Sequence, residues 1–293
     1  MLDWFDAYTG TVLNGLALAA VLFVIAVGLS LVFGTMDVLN LAHGSVSLVG
    51  AYVGVAMVGD SASIAAFVAA VLVASAIGLV LGGVLAAMTA KVSGHLRQAL
   101  LTLGVALIAG DVLAEVFGSD VKRVRAPEGL DGSTEVLGTP YPVYRLVMVG
   151  VGLAVAVLLY LVLERTRLGA IVRATVADRD MVEAVGIRTT LVLGGVFAGG
   201  AALAAAGGLL AAPVLGAQPG LDDTILLLAL VVIVIGGLGS LRGALLGAVL
   251  VGQVQVLGVA LLPELASFML FGAMGLVLLL RPAGLLPAPG RRA

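Results

Sequence analysis

Few side chains in this sequence are equipped for chemistry, and most of those stand inside or beside long apolar runs. Asp111 and Glu115 lie four residues apart in LIAGDVLAEVF, so a helix would carry both carboxylates on one face. A carboxylate at the bilayer centre costs about 2.5–3.5 kcal/mol on insertion scales. The pair must therefore face water and headgroups at an outer mouth, or Asp111 must line a pathway. Asn40 and His43, in LNLAHGSV, fall between two apolar runs and are pathway candidates for the same reason. Their plainer reading is turn closure, with Asn40 as the N-cap of the next span, His43 bonding a neighbouring carbonyl and Gly44 admitting a close crossing. Gln253 and Gln255 interrupt another apolar run. An amide there either joins two helices, worth about 0.6 kcal/mol on average, or, for Gln253, lines a pathway.

Other chemistries lack their residues. GGLGSLRG has neither the lysine nor the strand context of a phosphate loop, and no GxxxxGK[ST] occurs. No HExxH is present, His43 and His95 have no metal-ligand spacing, and the absence of cysteine excludes disulfides and thiol catalysis. No arginine-rich span suggests a voltage sensor. The chain reads as a non-enzyme without a metal site.

The elements that must position these residues follow from composition. With 61% hydrophobic and 11% charged residues and a mean hydropathy of +1.23, the chain lies far from soluble domains, of which roughly a quarter is charged. It reads as one all-α, polytopic transmembrane bundle over residues 1–293. A span needs about 20 mostly apolar residues, which marks 11–33, 45–58, 61–90, 99–117, 143–163, 191–212, 225–238, 244–262 and 267–280. The count is eight or nine, because the seventh is short. The second is long enough only if residues 38–44 join it, which predicts a broken or re-entrant helix near residues 36–45. Trp4, Phe5 and Tyr8 suit the interfacial belt before the first span. Asp3 and Asp6 stand where a signal peptide would carry positive charge, so that span is expected to be retained. All nine prolines, from Pro127 to Pro289 and including Pro213, fall outside these spans. Glycines at four-residue spacing predict close helix packing: Gly78 with Gly82, Gly195 with Gly199, continued by Ala202 and Ala206, and the series Gly239, Gly243, Gly247.

Arginine and lysine set the orientation. With the N-terminus outside, eleven of them fall inside (Lys91, Arg97, Arg165, Arg167, Arg173, Arg179, Arg188, Arg242, Arg281, Arg291 and Arg292). Four fall outside: Lys122, Arg123, Arg125 and Arg145. This places a loop at 118–142 outside, and a loop at 164–190 and the C-terminus in the cytoplasm.

The stretch ERTRLGAIVRATVADRDMVEAVGIR, residues 164–188, is the one long polar interval between two apolar halves. It sets Arg165, Arg167, Arg173, Arg179 and Arg188 against Glu164, Asp178, Asp180 and Glu183. Thr175 or Asp178 can cap a helix that carries Met181, Val182 and Val185 and ends at Gly186. A short amphipathic helix of this kind at a membrane face suits a protein partner.

This stretch resembles the cytoplasmic coupling loop of ABC importer permeases. Two further stretches, GLSLVFGTMDVLNLAHGSVSLVGAYV and GGLGSLRGALLGAVLVGQVQ, are similar to branched-chain amino acid permease subunits of the LivH type, and the similarity runs over nearly the whole chain. The resemblance implies a permease in a prokaryotic inner membrane, translocating branched-chain or related small hydrophobic amino acids. Its implied partners are a second permease, similar or identical, an extracytoplasmic binding protein and two cytoplasmic ATPases. The ATPases hold ATP and Mg, so this chain needs no cofactor; membrane lipid surrounds it and nucleic acid has no part. Arg173, Arg179, Met181, Glu183, Ala184 and Gly186 would then meet the ATPase. The N-x-A-H-G segment with Asn40 and His43 would be a family signature near the inner end of the pathway. In that family an uncharged amide commonly stands where this chain has Asp111. Permeases for urea or short amides, an ion-coupled transporter using Asp111, Glu115 or His43, and a passive channel are the alternatives.

Overall fold

Long apolar runs have one inexpensive conformation in lipid, because a helix satisfies its own backbone donors and acceptors. The computed structural model describes residues 2–58 and 63–287, with residues 2–7 by backbone alone. The side chains of Asp3, Trp4, Phe5 and Asp6, and residues Ser61, Pro289, Arg291 and Arg292, lie outside the described residues.

The chain runs α1 (Leu2–Met36), α2 (His43–Met57), α3 (Ile64–Thr89), α4 (His95–Phe117), β1 (Ser133–Val136) and β2 (Thr139–Pro142). It continues through α5 (Val143–Arg165), α6 (Arg167–Ala177), α7 (Arg179–Ala184), α8 (Thr189–Leu215), α9 (Leu221–Gly236) and α10 (Leu241–Leu261). A 3₁₀ turn at Pro263–Leu265 leads into α11 (Ala266–Leu280). Among the described residues, seven helices are long and apolar enough to cross a membrane. The expected second and seventh spans are shorter, at 15 and 16 residues, or about 22–24 Å of helix against roughly 30 Å of hydrocarbon.

The centre of the bundle is α1, α2 and α8. Phe23, Ile25 and Leu29 of α1, Leu48 and Tyr52 of α2, and Phe197 and Leu209 of α8 are all fully buried. Small residues let these three helices touch backbone to backbone. A Cβ on Gly28 would overlap the Gly200 carbonyl, one on Gly50 the Ala205 carbonyl, and one on Gly208 the Ser47 carbonyl. Gly78 and Gly82 bring α3 onto the same helix, against Ala201, Ala205 and Ala198. The outward faces of α3, α4 and α5 are lined with exposed Leu, Val and Ile, as a lipid- or partner-facing shell requires.

Several expectations need correcting. A side chain at Gly195 or Gly199 would meet nothing within 4 Å; they lie on an open face of α8, and Gly200, Gly207 and Gly208 make its crossings. Gly239 is outside α10, in a turn at φ +78°, and packs there against Gly34 of α1, while Gly243 and Gly247 pack against Gly236 and the Val232 carbonyl. A four-residue spacing in sequence is not one helix face when the helix begins after its first member. Pro213 lies inside α8. It stands in the last turn, and the helix still closes beyond it, Gly216 N–H bonding the Ala212 carbonyl at 2.9 Å. The fold is also not wholly helical: β1 and β2 pair as an antiparallel hairpin. Both strands of a two-stranded ribbon are edges, so Pro140 and Pro142 interrupt nothing.

Candidate functional site

Two regions carry the polar residues singled out from the sequence: the loop between α5 and α8, and the interruption between α1 and α2.

The loop is helical in two pieces, of which the sequence reading anticipated only the second. Thr166 opens α6, its hydroxyl accepting the Gly169 N–H at 3.3 Å, and Asp178 opens α7 by accepting the Met181 N–H at 2.9 Å. Thr175, the other candidate cap, instead donates to the Ile171 carbonyl within α6. The end of α7 is closed by two bonds, Gly186 N–H to the Glu183 carbonyl at 2.9 Å and Ile187 N–H to the Val182 carbonyl at 3.3 Å. Gly186 adopts φ +88° there, a left-handed cap that a side chain would strain. Val182 points inward, whereas Met181 and Val185 are 62% and 71% exposed.

Arg179 ties this helix down. Its Nε–H is shared between Glu183 Oε1 and the Thr189 hydroxyl, each at 3.1 Å, and Thr189 in turn donates to Glu183. Thr189 is buried at the first position of α8, so α7 is clamped to the central helix of the bundle. The Thr189 hydroxyl, and then Arg179, hold the Glu183 carboxyl below the usual glutamate range. Arg173 faces Glu164 at 3.7 Å with both side chains about half exposed, and Ala184 is exposed. A pair of that kind contributes at most about 1 kcal/mol.

At the interruption, α1 ends at Met36 and helix resumes only at His43, with Asp37 at φ +52°. Asn40 is not the N-cap, since Ala42 holds that position. Asn40 closes the turn, its Oδ1 accepting the Ala42 N–H at 3.1 Å. His43 is fully buried with Nε2 2.9 Å from the Ile25 carbonyl, which requires Nε2 to carry the proton. Gly44 lets α2 meet α9, where a Cβ would overlap the Asp222 carbonyl.

The segment then follows α4 along a polar seam. His95 Nδ1 meets the Asp37 carbonyl at 3.0 Å, Thr102 accepts the Leu41 N–H at 3.0 Å, and Ser45 reaches toward the Ala106 carbonyl at 3.4 Å. Thr102 is the one buried residue of α4. Asp111 and Glu115 are exposed on that helix and His43 is buried elsewhere, so no common proton site unites the three. Gln253 joins α10 to α1 by donating to the Val12 carbonyl at 2.9 Å. Sequence reasoning missed Thr189, Thr102, Ser45 and Asp222. The last was passed over because it immediately precedes an apolar run; an acidic pair after Gly220 is the helix-start signal that could have found it.

A family model described as branched-chain amino acid transport system / permease component matches residues 11–279. The chain belongs to this family. This permease is 30% identical to the high-affinity branched-chain amino acid transport system permease protein BraD of Pseudomonas aeruginosa, over 96% of each chain. It is 29% identical to LivH of Salmonella typhimurium and 28% identical to LivH of Escherichia coli, each over 99% of this chain and 98% of the relative. Among solved structures, PsaBC from Streptococcus pneumoniae in complex with Fab matches with a TM-score of 0.50 at 14% identity, covering 96% of this chain and 95% of that one. At that identity the likeness concerns the fold alone. The permease is a subunit of an ABC importer rather than an enzyme, and a multi-pass protein of the inner membrane.

Proposed function

We propose that this permease translocates branched-chain amino acids, received from an extracytoplasmic binding protein and driven by two cytoplasmic ATPases that dock on α6 and α7. The observation that carries the docking site is the pairing of exposed Met181 and Val185 with a helix capped at both ends. Apolar side chains left bare on a rigid, charged-rimmed helix are what a protein partner covers. Arg173, Arg179, Glu183, Ala184 and Gly186 frame that surface. The clamp from Arg179 and Glu183 to Thr189 gives a push on α7 a direct route into α8, whose backbone lies against α1 and α2.

The proposed topology has nine crossings, with the N-terminus outside and the C-terminus in the cytoplasm. In it, residues 37–42 complete the crossing that α2 is too short to make. The hairpin loop 118–142 then faces the binding protein. Asp111 is exposed on an apolar helix, and lipid is a poor home for a carboxylate. This favours the α4 face as the one covered by the second permease or opening on the pathway between the two.

The test is uptake of radiolabelled leucine, isoleucine and valine into proteoliposomes holding the complete complex. Saturable uptake that needs both ATP and the loaded binding protein is expected, and Met181→Glu with Val185→Glu should abolish it without preventing insertion. Uptake by this chain alone under a pH gradient, or full activity of the double variant, would overturn the reading.

A further inference from the structure

We propose that Asp222, Ser45 and Tyr52 form a transit site for the ammonium group of an amino acid, where α2 and α9 meet beneath α4. The proposal deepens the permease reading above and rests on it.

Asp222 is buried in the first turn of α9, and Ser45 Oγ donates to its Oδ2 at 3.0 Å. Among the described residues, no cation reaches it. A carboxylate has about four acceptor positions, and one is filled. The helix N-terminus offsets part of the desolvation of such a group, yet a buried carboxylate without a cation remains an unusual thing to retain. A second observation points to the same place. Tyr52 is 1% exposed and its hydroxyl has no hydrogen-bond partner. Tyr52 follows Ser45 by seven residues, two helical turns, so both occupy one face of α2, and a long helical side chain leans toward the N-terminus. Its ring is stacked on Phe117 at a centroid distance of 4.3 Å.

One under-used carboxylate and one orphaned hydroxyl are the complement of an ammonium ion, through charge and hydrogen bonding. Access comes from the α4 side. Gly110 offers Asp222 only backbone, the carboxylate oxygen standing 3.8 Å from where a Cβ would be. Along the seam the Leu41 N–H bonds Thr102 and His95 meets the Asp37 carbonyl, contacts between α4 and residues 37–41 that a substrate or water can replace.

The experiment uses the complete complex in two assays, leucine uptake in proteoliposomes and melting temperature in detergent without the binding protein. Isopentylamine, which keeps the ammonium and side chain of leucine, should raise the melting temperature, and 4-methylpentanoate, which keeps the carboxylate, should not. Tyr52→Phe should lower uptake about fivefold and Asp222→Asn at least about twentyfold, as loss of a neutral and a charged hydrogen bond respectively predicts. Both should erase the isopentylamine shift, and Asp222→Glu should recover part of the uptake. Tyr52→Phe preserves shape, so it reports even if Asp222→Asn fails to fold. If Tyr52→Phe transports at the wild-type rate and melts higher, the hydroxyl was only an unsatisfied group and the proposal is overturned. A wild-type complex that binds isopentylamine but imports no amino acid would instead overturn the permease substrate, leaving the site standing.

Discussion

The α2–α8 crossing and the α7 helix are both short-range devices, yet they are held in opposite ways. At the crossing, Gly50 meets the Ala205 backbone and Gly208 meets the Ser47 backbone, so the two helices touch main chain to main chain. Helix α7 has six residues, one of them buried, and keeps its shape through Asp178, Gly186 and the Arg179–Glu183–Thr189 clamp. The first arrangement cannot yield without breaking the bundle. The second is held to α8 through Thr189 and leaves Met181 and Val185 exposed on its outer face. An importer powered from outside needs both, a stiff interior to transmit displacement and a surface on which a partner can push.

Mutations should separate the two regions. Gly208→Leu places a side chain on the Ser47 carbonyl, and a loss beyond about 4 kcal/mol is expected, enough to prevent recovery of monodisperse protein in detergent. Replacing Met181 and Val185 by glutamate should instead cut ATP-driven uptake at least about tenfold while stability changes by no more than about 0.5 kcal/mol, the usual range for surface positions. A comparable fall in melting temperature for both sets of variants would erase the distinction. Gly186→Ala should cost about 1 kcal/mol of local stability, because an L side chain resists the left-handed cap. Hydrogen exchange at residues 182–187 should then quicken while α8 stays protected.

A pH titration gives a finer reading of the clamp. The Glu183 carboxyl is held below its ordinary value of 4.5 by Thr189 and Arg179. A depressed carboxyl stabilises the folded form fully above the unfolded value and loses that contribution as pH falls through the lower, folded one. The protection factors within α7, corrected for the intrinsic pH dependence of amide exchange, should therefore fall on acidification below 4.5, and Glu183→Gln should flatten the dependence. The smallest effect is expected at the hairpin. Leu137 is 79% exposed at φ +51° and Gly138 follows at φ +84°, the geometry of a type I′ turn. Leu137→Asn should stabilise that turn by on the order of 1 kcal/mol, read as greater resistance of residues 133–142 to proteolysis.

The sequence by itself determined the class of molecule, the segments long enough to span, the break near residues 36–45 and the polar segment with Asp178 and Gly186 at its helix ends. These follow from local physics, since apolar length, capping chemistry and glycine at a positive φ need no knowledge of neighbours. Only the tertiary structure decided which glycines touch. Gly195 and Gly199 share the spacing of Gly243 and Gly247, but spacing fixes a face and not what that face meets. The same limit hid Asp222 and Thr189, which read as polar residues at span ends until α2 and α7 were folded against them. Asn40 likewise proved a turn closer rather than a helix cap, its side chain accepting the Ala42 N–H one residue before α2 begins.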